Sequence, residues 1–159
     1  MIVYLENLAD IRAQHKFQTI ALTSGTFDLL HVGHLRYLAA VKELGDIVVV
    51  MLSGDARTKA RKGPTRPIIP ENDRAAILDA LKIVDYVFID PAVSAPNKPD
   101  PAHAEIVARL QPDVYATDGV DVRFSDIMNA SQLIIVPRSE GDGHASTSAI
   151  IEHISRLKA

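Results

Sequence analysis

The sequence predicts one doubly wound α/β domain, built on a five-stranded parallel sheet, over the whole chain of residues 1–159. Short β-branched runs alternate with longer helical stretches, a rhythm that is typical of a parallel sheet covered on both faces. The apolar runs are nearly continuous instead of alternating, as expected for strands buried on both sides. The chain is 47% hydrophobic with a formal net charge of -3, so it has enough apolar residues for a core.

Five runs are predicted to form the strands. Each is short and mostly apolar, with frequent Val and Ile, which favour extended structure. They are Thr19–Thr23, Ile47–Leu52, Tyr86–Ile89, Asp113–Ala116 and Leu133–Val136. In an open sheet of this Rossmann-like type, ligands bind beyond the carboxyl ends of the strands. We therefore expect the site among the residues that follow these runs.

Helices are predicted between the strands. The candidates are Leu5–Gln14 within a leading segment of residues 1–16, then His31–Leu44, Pro70–Leu81, Ala102–Leu110 and Thr147–Leu157, and a weaker one near Phe124–Asn129. Pro70 followed by Glu71 and Asp73 is a good helix start, because proline suits the first turn and carboxylates favour its positive end. Residues 91–101 contain four prolines and are predicted to be an irregular connection.

Composition excludes several classes of protein. The chain has no cysteine, which rules out a disulfide scaffold, a thiolate zinc site, an iron–sulfur cluster and a cysteine nucleophile. Its longest plainly apolar run, Ile47–Leu52, is far shorter than the roughly 20 residues of a membrane helix. The chain shows neither a basic leader nor a strong positive charge. We therefore expect a cytoplasmic protein that binds neither membranes nor nucleic acid.

The residues after the first strand form the most informative motif, SGTFDLLHVGH at positions 24–34. His31 and His34 are three residues apart, so on a helix they share one face, in the first turn, where unpaired N–H groups favour an anion. Gly25 and Gly33 leave the backbone open to a ligand. The pattern predicts a phosphate-binding corner. An exposed histidine pair and a metal site are the alternatives, and a zinc site would need further ligands.

The stretch GTFDLLHVGH resembles the HxGH signature of cytidylyltransferase-like nucleotidyltransferases, the group that contains glycerol-3-phosphate cytidylyltransferase and heptose-1-phosphate adenylyltransferase. The similarity extends from about Leu5 to Ile154, with the motifs in family order. It implies a Rossmann-like domain of the HxGH nucleotidyltransferase type. It also implies that Gly25, Thr26 and Phe27 bind nucleotide together with the histidines.

A basic stretch follows the second strand. Five cations lie within ten residues that contain no acid: Arg57, Lys59, Arg61, Lys62 and Arg66. Gly63, Pro64 and Pro67 are predicted to keep this stretch irregular. Because the stretch follows the carboxyl end of the second strand, it begins at the same edge of the sheet that is expected to hold the histidines. A solvated charged surface is the simpler interpretation. Cations at this edge would, however, offset charge that develops on a triphosphate.

The segment KGPTRPI at positions 62–68, followed by Arg74, is similar to the KGxxRPI…R pattern of the heptose-phosphate adenylyltransferases. Arg74 shares helical spacing with Leu78 and Leu81, which places it on an inward face where an unpaired cation is costly. It therefore either meets an internal carboxylate, such as Asp28, or reaches a ligand phosphate. With the resemblance, we favour the ligand.

The last helix is predicted to open with Ser146, Thr147 and Ser148, whose hydroxyls cap the helix or hold phosphates. Its apolar residues recur at helical spacing and predict a buried stripe, which consists of Ile150, Ile151, Ile154 and Leu157. The preceding segment, from Arg138, resembles the family's RTEGISTT element with about three extra residues. This resemblance implies that Arg138 anchors phosphate.

One stretch departs from the family pattern. Members usually carry a Gly-Asp-Asp or Lys-Gly-Gly-Asp element after the fourth strand, whereas this chain reads ATDGVD at positions 116–121. We expect Asp118 to replace the missing carboxylate in nucleotide binding.

Together these features predict a nucleotidyltransferase that transfers CMP or AMP from CTP or ATP to a small phosphorylated acceptor, a polyol phosphate or sugar phosphate, and releases pyrophosphate. His31 and His34 would steady the α-phosphate, Lys59 or Lys62 would act from the basic stretch, and Arg74 would anchor phosphate. Mg²⁺ would bridge the nucleotide phosphates instead of occupying a protein cage. The resemblance to this family also implies a homodimer. The alternatives are an FMN adenylyltransferase and a non-catalytic nucleotide-binding module of the same fold.

Overall fold

A five-stranded, fully parallel sheet forms the centre of the structure, which confirms the predicted α/β fold class. The computed structural model describes residues 1–90, 101–119, 132–137 and 146–157. The strands are β1 (Ile20–Gly25), β2 (Ile47–Ser53), β3 (Tyr86–Asp90), β4 (Val114–Thr117) and β5 (Leu133–Ile135). Their order across the sheet is β3-β2-β1-β4-β5, so the chain winds outward from β1 to β3 and then continues on the other side of β1.

The described helices flank the sheet. They are α1 (Leu8–Gln14), which a 3₁₀ turn over Leu5–Asn7 precedes, α2 (Val32–Lys42), α3 (Asp55–Lys62), α4 (Glu71–Asp79), α5 (Pro101–Leu110) and α6 (Thr147–Arg156). Residues 91–100 and the weaker helix predicted near Phe124–Asn129 lie outside the described residues. Within the part of the chain that is described, no helix combines the length and apolar content needed to cross a bilayer.

Two apolar clusters, one on each face of the sheet, make up the core. Leu22 and Val49 pack with α1 and α5 on one face, and their neighbours Ala21 and Val50 pack with α2 and α4 on the other. Every residue of β2 is buried, as expected for a central parallel strand. The continuous apolar runs of the sequence are therefore explained by helices on both faces.

The predicted strands are found at their expected places, with ends that differ by one or two residues. Four strands extend farther toward their carboxyl ends than the apolar runs do, to Gly25, Ser53, Asp90 and Thr117. These residues are polar or lack a side chain, so hydrophobicity alone does not place them in a strand. The parallel ladders hold them in register, since Gly25 pairs with Leu52 and Ser53 with Asp90.

The basic stretch is largely helical, and the prediction of irregular structure is wrong for its first part. α3 occupies Asp55–Lys62, and Gly63 ends it with a φ of 95°, a left-handed value that glycine adopts readily. Pro64 and Pro67 come after this end and do not interrupt the helix. Asp55 in the first turn and basic residues in the last turn also suit the helix dipole.

The apolar stripe of α6 is not buried in the described structure, contrary to the prediction. None of the described residues of this helix is buried, and Ile154 and Leu157 are 47% and 74% exposed. A period of 3.6 residues identifies an apolar face but carries no information on what covers it. The first turn of α6 does meet the rest of the fold, because the Thr147 hydroxyl donates to the backbone carbonyl of Asp28.

Candidate functional site

The strand order reverses between β1 and β4, and a cleft lies at this switch point, beyond the carboxyl ends of both strands. The described residues that line it come from β1 and the turn after it, the end of α3, the segment after α3, the end of β4 and the start of α6. They are Ser24, Gly25, Thr26, Phe27, Asp28, His31, His34, Arg61, Lys62, Arg66, Thr117, Asp118, Ser146, Thr147 and Ser148. Imidazoles, cations and hydroxyls of this kind bind phosphate.

A turn over residues 26–31, called the histidine turn below, joins β1 to α2 and positions His31 and His34. Phe27 and Leu29 have φ values of 48° and 46°, in the left-handed region that side chains rarely adopt. Gly25 allows Phe27 to approach closely, because a Cβ at position 25 would lie 2.7 Å from Phe27 Cε2. The buried Phe27 ring lies 5.2 Å from the His34 ring between centroids. The glycine, the turn and the phenyl ring together determine where His34 lies.

His31 and His34 cap the amino end of α2. His31 is the N-cap residue, and its Nδ1 accepts from the Gly33 N–H at 3.1 Å, while the His34 Nδ1 accepts from the His31 N–H at 3.4 Å. The rings stack with centroids 3.8 Å apart. Two imidazoles thus take the roles of Ser and Glu in a capping box. The Gly33 N–H is used within the cap and Gly33 is not among the described lining residues, which corrects the prediction that its backbone is open to a ligand.

The two backbone donors determine the tautomer of both rings. An Nδ1 that accepts from an N–H carries no proton, so each neutral imidazole holds its proton on Nε2. Both histidines line the cleft. Their Nε2–H groups can therefore donate hydrogen bonds to phosphate oxygens.

Asp28 joins three walls of the cleft. Its buried carboxylate accepts from Arg66 Nε at 2.9 Å and from the N–H groups of Ile68 and Ile69, each at 3.0 Å. Its backbone carbonyl accepts from the Thr147 hydroxyl at 2.5 Å. One residue of the histidine turn therefore anchors both the segment after α3 and the start of α6.

The charged form of Asp28 is favoured by these contacts. Burial alone would raise the pKa of its carboxyl, but the N–H groups of Ile68 and Ile69 and the Arg66 guanidinium together outweigh burial. The pKa therefore lies below the ordinary value of 3.8.

We expect Asp28 to stabilise the fold at neutral pH and to lose this contribution in acid. A carboxyl with a lowered folded-state pKa stabilises fully above the unfolded pKa of 3.8, and less as the pH falls through the folded value. The difference in unfolding free energy between wild type and Asp28→Asn, measured by urea denaturation, should be constant from about pH 7 to about pH 5 and shrink below about pH 4. A difference that grows toward acid would contradict this account of Asp28.

The structure brings part of the basic stretch to the cleft. Arg61 and Lys62, in the last turn of α3, line the cleft, whereas Lys59 is exposed and is not among the described lining residues. Arg57 is 1% exposed and pairs with Asp90, so it is an interior residue and not a surface cation. Of the two lysines predicted to be catalytic, Lys62 alone has a suitable position within the described cleft.

Arg74 binds protein groups, which corrects the preference for a ligand phosphate. Its buried guanidinium donates to the carbonyls of Thr26 and Ser53 at 2.6 and 3.0 Å and pairs with Asp55 at 2.6 Å. The internal carboxylate was the right alternative, but the partner is Asp55, because the Asp28 carboxylate binds the segment after α3. Arg74 therefore supports the cleft by holding the histidine turn, the end of β2 and α3 together.

The three hydroxyl residues at the start of α6 line the cleft in different ways. Ser146 is the N-cap, and its hydroxyl accepts from the Ala149 N–H at 3.1 Å. Thr147 binds Asp28, and Ser148 is exposed. Ser146 thus confirms the capping interpretation for one of the three. The amino end of α6 also brings the positive end of a helix dipole to the cleft.

Other predicted residues are also placed by the structure. Gly25, Thr26, Phe27 and Asp118 line the cleft, and Arg138 lies outside the described residues. Five lining residues were not predicted as individual site residues: Ser24, Asp28, Arg61, Arg66 and Thr117, of which Asp28 was expected only as a possible partner of Arg74. Each lies next to a predicted residue or inside a quoted motif, and this position in the sequence is the feature that could have identified it as a site residue.

A cleft of this kind, at the switch point of a doubly wound sheet and with the HxGH histidines at a helix start, is typical of nucleotide-binding α/β domains. The chain belongs to the cytidylyltransferase-like family, whose family model matches residues 22–155. The resemblance stated from the motifs is confirmed, and with it the expectation of a nucleotidyltransferase.

Curated relatives include the bifunctional protein HldE of several bacteria. The protein from Campylobacter concisus is 36% identical over 158 residues, which are 97% of this chain and 31% of that protein. The protein from Helicobacter pylori strain G27 is 38% identical over 156 residues, which are 98% of this chain and 31% of that protein. The chain thus spans 31% of the length of these relatives.

Solved structures share the fold. A lipopolysaccharide core biosynthesis protein from Thermoplasma volcanium superposes with a TM-score of 0.58 at 28% identity, over 79% of this chain and 99% of that one. A pantoate-beta-alanine ligase from Francisella tularensis superposes with a TM-score of 0.62 at 17% identity, over 96% of this chain and 72% of that one. The second similarity concerns the fold alone.

Proposed function

We propose that this chain transfers AMP from ATP to a sugar phosphate and releases pyrophosphate. A phosphate oxygen of the acceptor attacks the α-phosphorus of ATP and forms the new P–O bond. The bond between the α-phosphorus and the oxygen that bridges to the β-phosphate breaks, and pyrophosphate leaves with that electron pair. No proton needs to move, because the attacking oxygen is already anionic at neutral pH.

The convergence of three distant segments on one cleft supports this proposal most directly. The histidine turn, the basic end of α3 and the hydroxyl-rich start of α6 all line the same space. The main barrier to joining two phosphates is to align them and to offset their mutual repulsion. The cleft supplies neutral donors and cations for that task.

Each segment has a role that follows from its chemistry. The Nε2–H groups of His31 and His34 donate to oxygens of the α-phosphate and favour the charge that accumulates there. Arg61 and Lys62 neutralise the β- and γ-phosphates. The first turn of α6, at Thr147 and Ser148, holds the departing pyrophosphate.

Mg²⁺ is proposed to accompany the nucleotide. Among the described residues, no group of three or more His, Asp and Glu side chains is arranged to hold a metal ion. Among the described lining residues, the carboxylates are those of Asp28, which binds protein groups, and Asp118 beside β4. We place Asp118 near a magnesium ion that would be held mainly by phosphate oxygens, because its carboxylate lines the cleft, and the ion would supply further positive charge.

The choice of substrates rests on the motifs and the relatives. The KGPTRPI segment, the leading helix and the stretch over residues 80–85 resemble the sugar-phosphate adenylyltransferase branch. The similarity to the HldE proteins and to a lipopolysaccharide core biosynthesis protein supports the same branch. GTFDLLHVGH alone also suits cytidylyl transfer to a polyol phosphate, so CTP is the second donor to test.

A screen for pyrophosphate release tests the proposal. ATP and CTP are each combined with sugar 1-phosphates, glycerol phosphates, phosphocholine and FMN in the presence of Mg²⁺. We expect ATP with a sugar 1-phosphate to give the highest rate. A higher rate with CTP and a polyol phosphate, or with ATP and FMN, would replace the proposed substrates.

Calorimetry distinguishes an enzyme from a non-catalytic module. Binding of ATP or CTP without pyrophosphate release across the whole acceptor panel would overturn the proposed activity. It would favour a nucleotide-binding module that has lost its acceptor site, for which the altered residues 117–121 are the motivation.

A further inference from the structure

Three titratable side chains meet in the interior beneath α3. Asp90, the last residue of β3, has its Oδ2 3.1 Å from Nε2 of His103 on α5 and 3.5 Å from a guanidinium nitrogen of Arg57 on α3. All three residues are at most 3% exposed. We refer to them as the Asp90 cluster. None of them lines the described cleft, so the proposed chemistry does not use them.

α3 connects the Asp90 cluster to the cleft. Arg57 lies in the first half of this helix, and Arg61 and Lys62, about one turn later, line the cleft. The amino end of α3 is held separately, because the Asp55 N–H donates to the Glu71 carboxylate at 2.5 Å. The Asp55 carboxylate also pairs with Arg74, so both of these contacts hold the first residue of α3. The Arg57–Asp90 pair adds a contact farther along the helix.

We propose that the Asp90 cluster sets the rotation of α3 and thereby positions Arg61 and Lys62 toward the phosphates of the nucleotide. Asp90 and His103 are positioning residues, because they act through Arg57 and touch no nucleotide. The inference rests on the proposed function only in taking a nucleoside triphosphate as the ligand of the cleft.

The choice of ions over apolar side chains supports this role. Burial of apolar residues would attach α3 without removing charges from water, and such replacements of buried ion pairs are often neutral or stabilising. The 3.1 Å contact with His103 Nε2 orients the Asp90 carboxylate, and the 3.5 Å ion pair with Arg57 then ties α3 to a fixed point at the end of β3. An apolar contact would tolerate a rotated helix. Displacement of binding groups by about 1 Å can cost about 10²-fold in activity.

Calorimetric titration with ATP and with CTP tests the proposal in wild type, Asp90→Asn, Lys62→Ala and the double variant. Asp90→Asn keeps the size of the side chain and removes its charge. We expect it to raise the Kd of the tighter nucleotide by about tenfold or more. Part of this rise should disappear in the Lys62→Ala background, because one of the two side chains that the Asp90 cluster positions is then absent.

Asp113→Asn is the matched control. Asp113 also pairs with an arginine, Arg12, and accepts from the Ile20 N–H. It lies directly before β4, at the amino ends of the strands, whereas the cleft lies beyond their carboxyl ends. We expect it to lower stability, measured by urea unfolding, and to leave the nucleotide Kd unchanged in both backgrounds. If Asp90→Asn does not fold, Arg57→Lys replaces it, since lysine keeps the charge but not the planar fork.

Two results would overturn the positioning role. One is a wild-type nucleotide Kd in a folded Asp90→Asn protein, and the other is an equal fold-change in Kd with and without Lys62. Nucleotide binding by the wild type without pyrophosphate release would instead overturn the proposed activity alone. The binding comparison among the variants would still decide the role of the Asp90 cluster.

Discussion

Replacement of His34 by alanine should lower kcat for nucleotidyl transfer by about 10²–10³-fold, or about 2.7–4 kcal/mol in activation free energy. The His34 Nδ1 accepts from the His31 N–H, which leaves the proton on Nε2 as a donor already held in place before the nucleotide binds. Alanine removes this donor. Initial rates of pyrophosphate release at saturating nucleotide and acceptor measure the loss.

His15→Ala is the matched control for His34→Ala. His15 is also hydrogen-bonded, with its Nε2 2.8 Å from the Tyr86 hydroxyl, but it does not line the described cleft. Its removal should leave kcat near the wild-type value. Near-normal turnover by a folded His34→Ala protein would refute the role of His34 in stabilising charge on the α-phosphate.

Replacement of Asp28 by alanine should destabilise the fold by about 3–5 kcal/mol, the usual cost of removing one partner from a buried ion pair. Arg66, whose side chain is 12% exposed, would lose its carboxylate, and the N–H groups of Ile68 and Ile69 would lose their acceptor. The segment after α3 would then detach from the histidine turn, so turnover should fall as well. Urea denaturation measures the first effect and pyrophosphate release the second.

The double variant Asp28→Ala, Arg66→Ala tests the origin of this loss. Removal of Arg66 eliminates the charge that Asp28→Ala leaves buried without its carboxylate. The double variant should therefore be less destabilised than the sum of the two single variants. Strict additivity would show that the two side chains do not stabilise each other.

Local patterns were sufficient to predict most of the fold and the centre of the site. A strand such as β2, buried on both faces, leaves a short, continuous and β-branched apolar run that is typical of parallel sheets. The histidine turn was predictable for a similar reason, since a glycine, two histidines and a helix start all occur within residues 25–34. Both features depend on neighbours in the sequence.

Features that depend on distant partners could not be predicted in the same way. The helical spacing showed that Arg74 faces inward, but Asp55 and Asp28 were both available, and only the assembled sheet brings Asp55 to it. Asp28 is linked to Thr147 across 119 positions, which no local pattern reports. The exposed face of α6 has the same cause, because amphipathic spacing does not specify what the apolar side contacts.

The cap of α2 has a consequence for how this domain can change in evolution. A capping side chain contributes about 0.5–2 kcal/mol, and here the capping groups are imidazoles that also line the cleft. Serine or asparagine in place of His31 would preserve the start of the helix and forfeit the Nε2–H donor. A single codon change at position 31 would therefore give a domain that stays well ordered but lacks one of the proposed phosphate-binding groups.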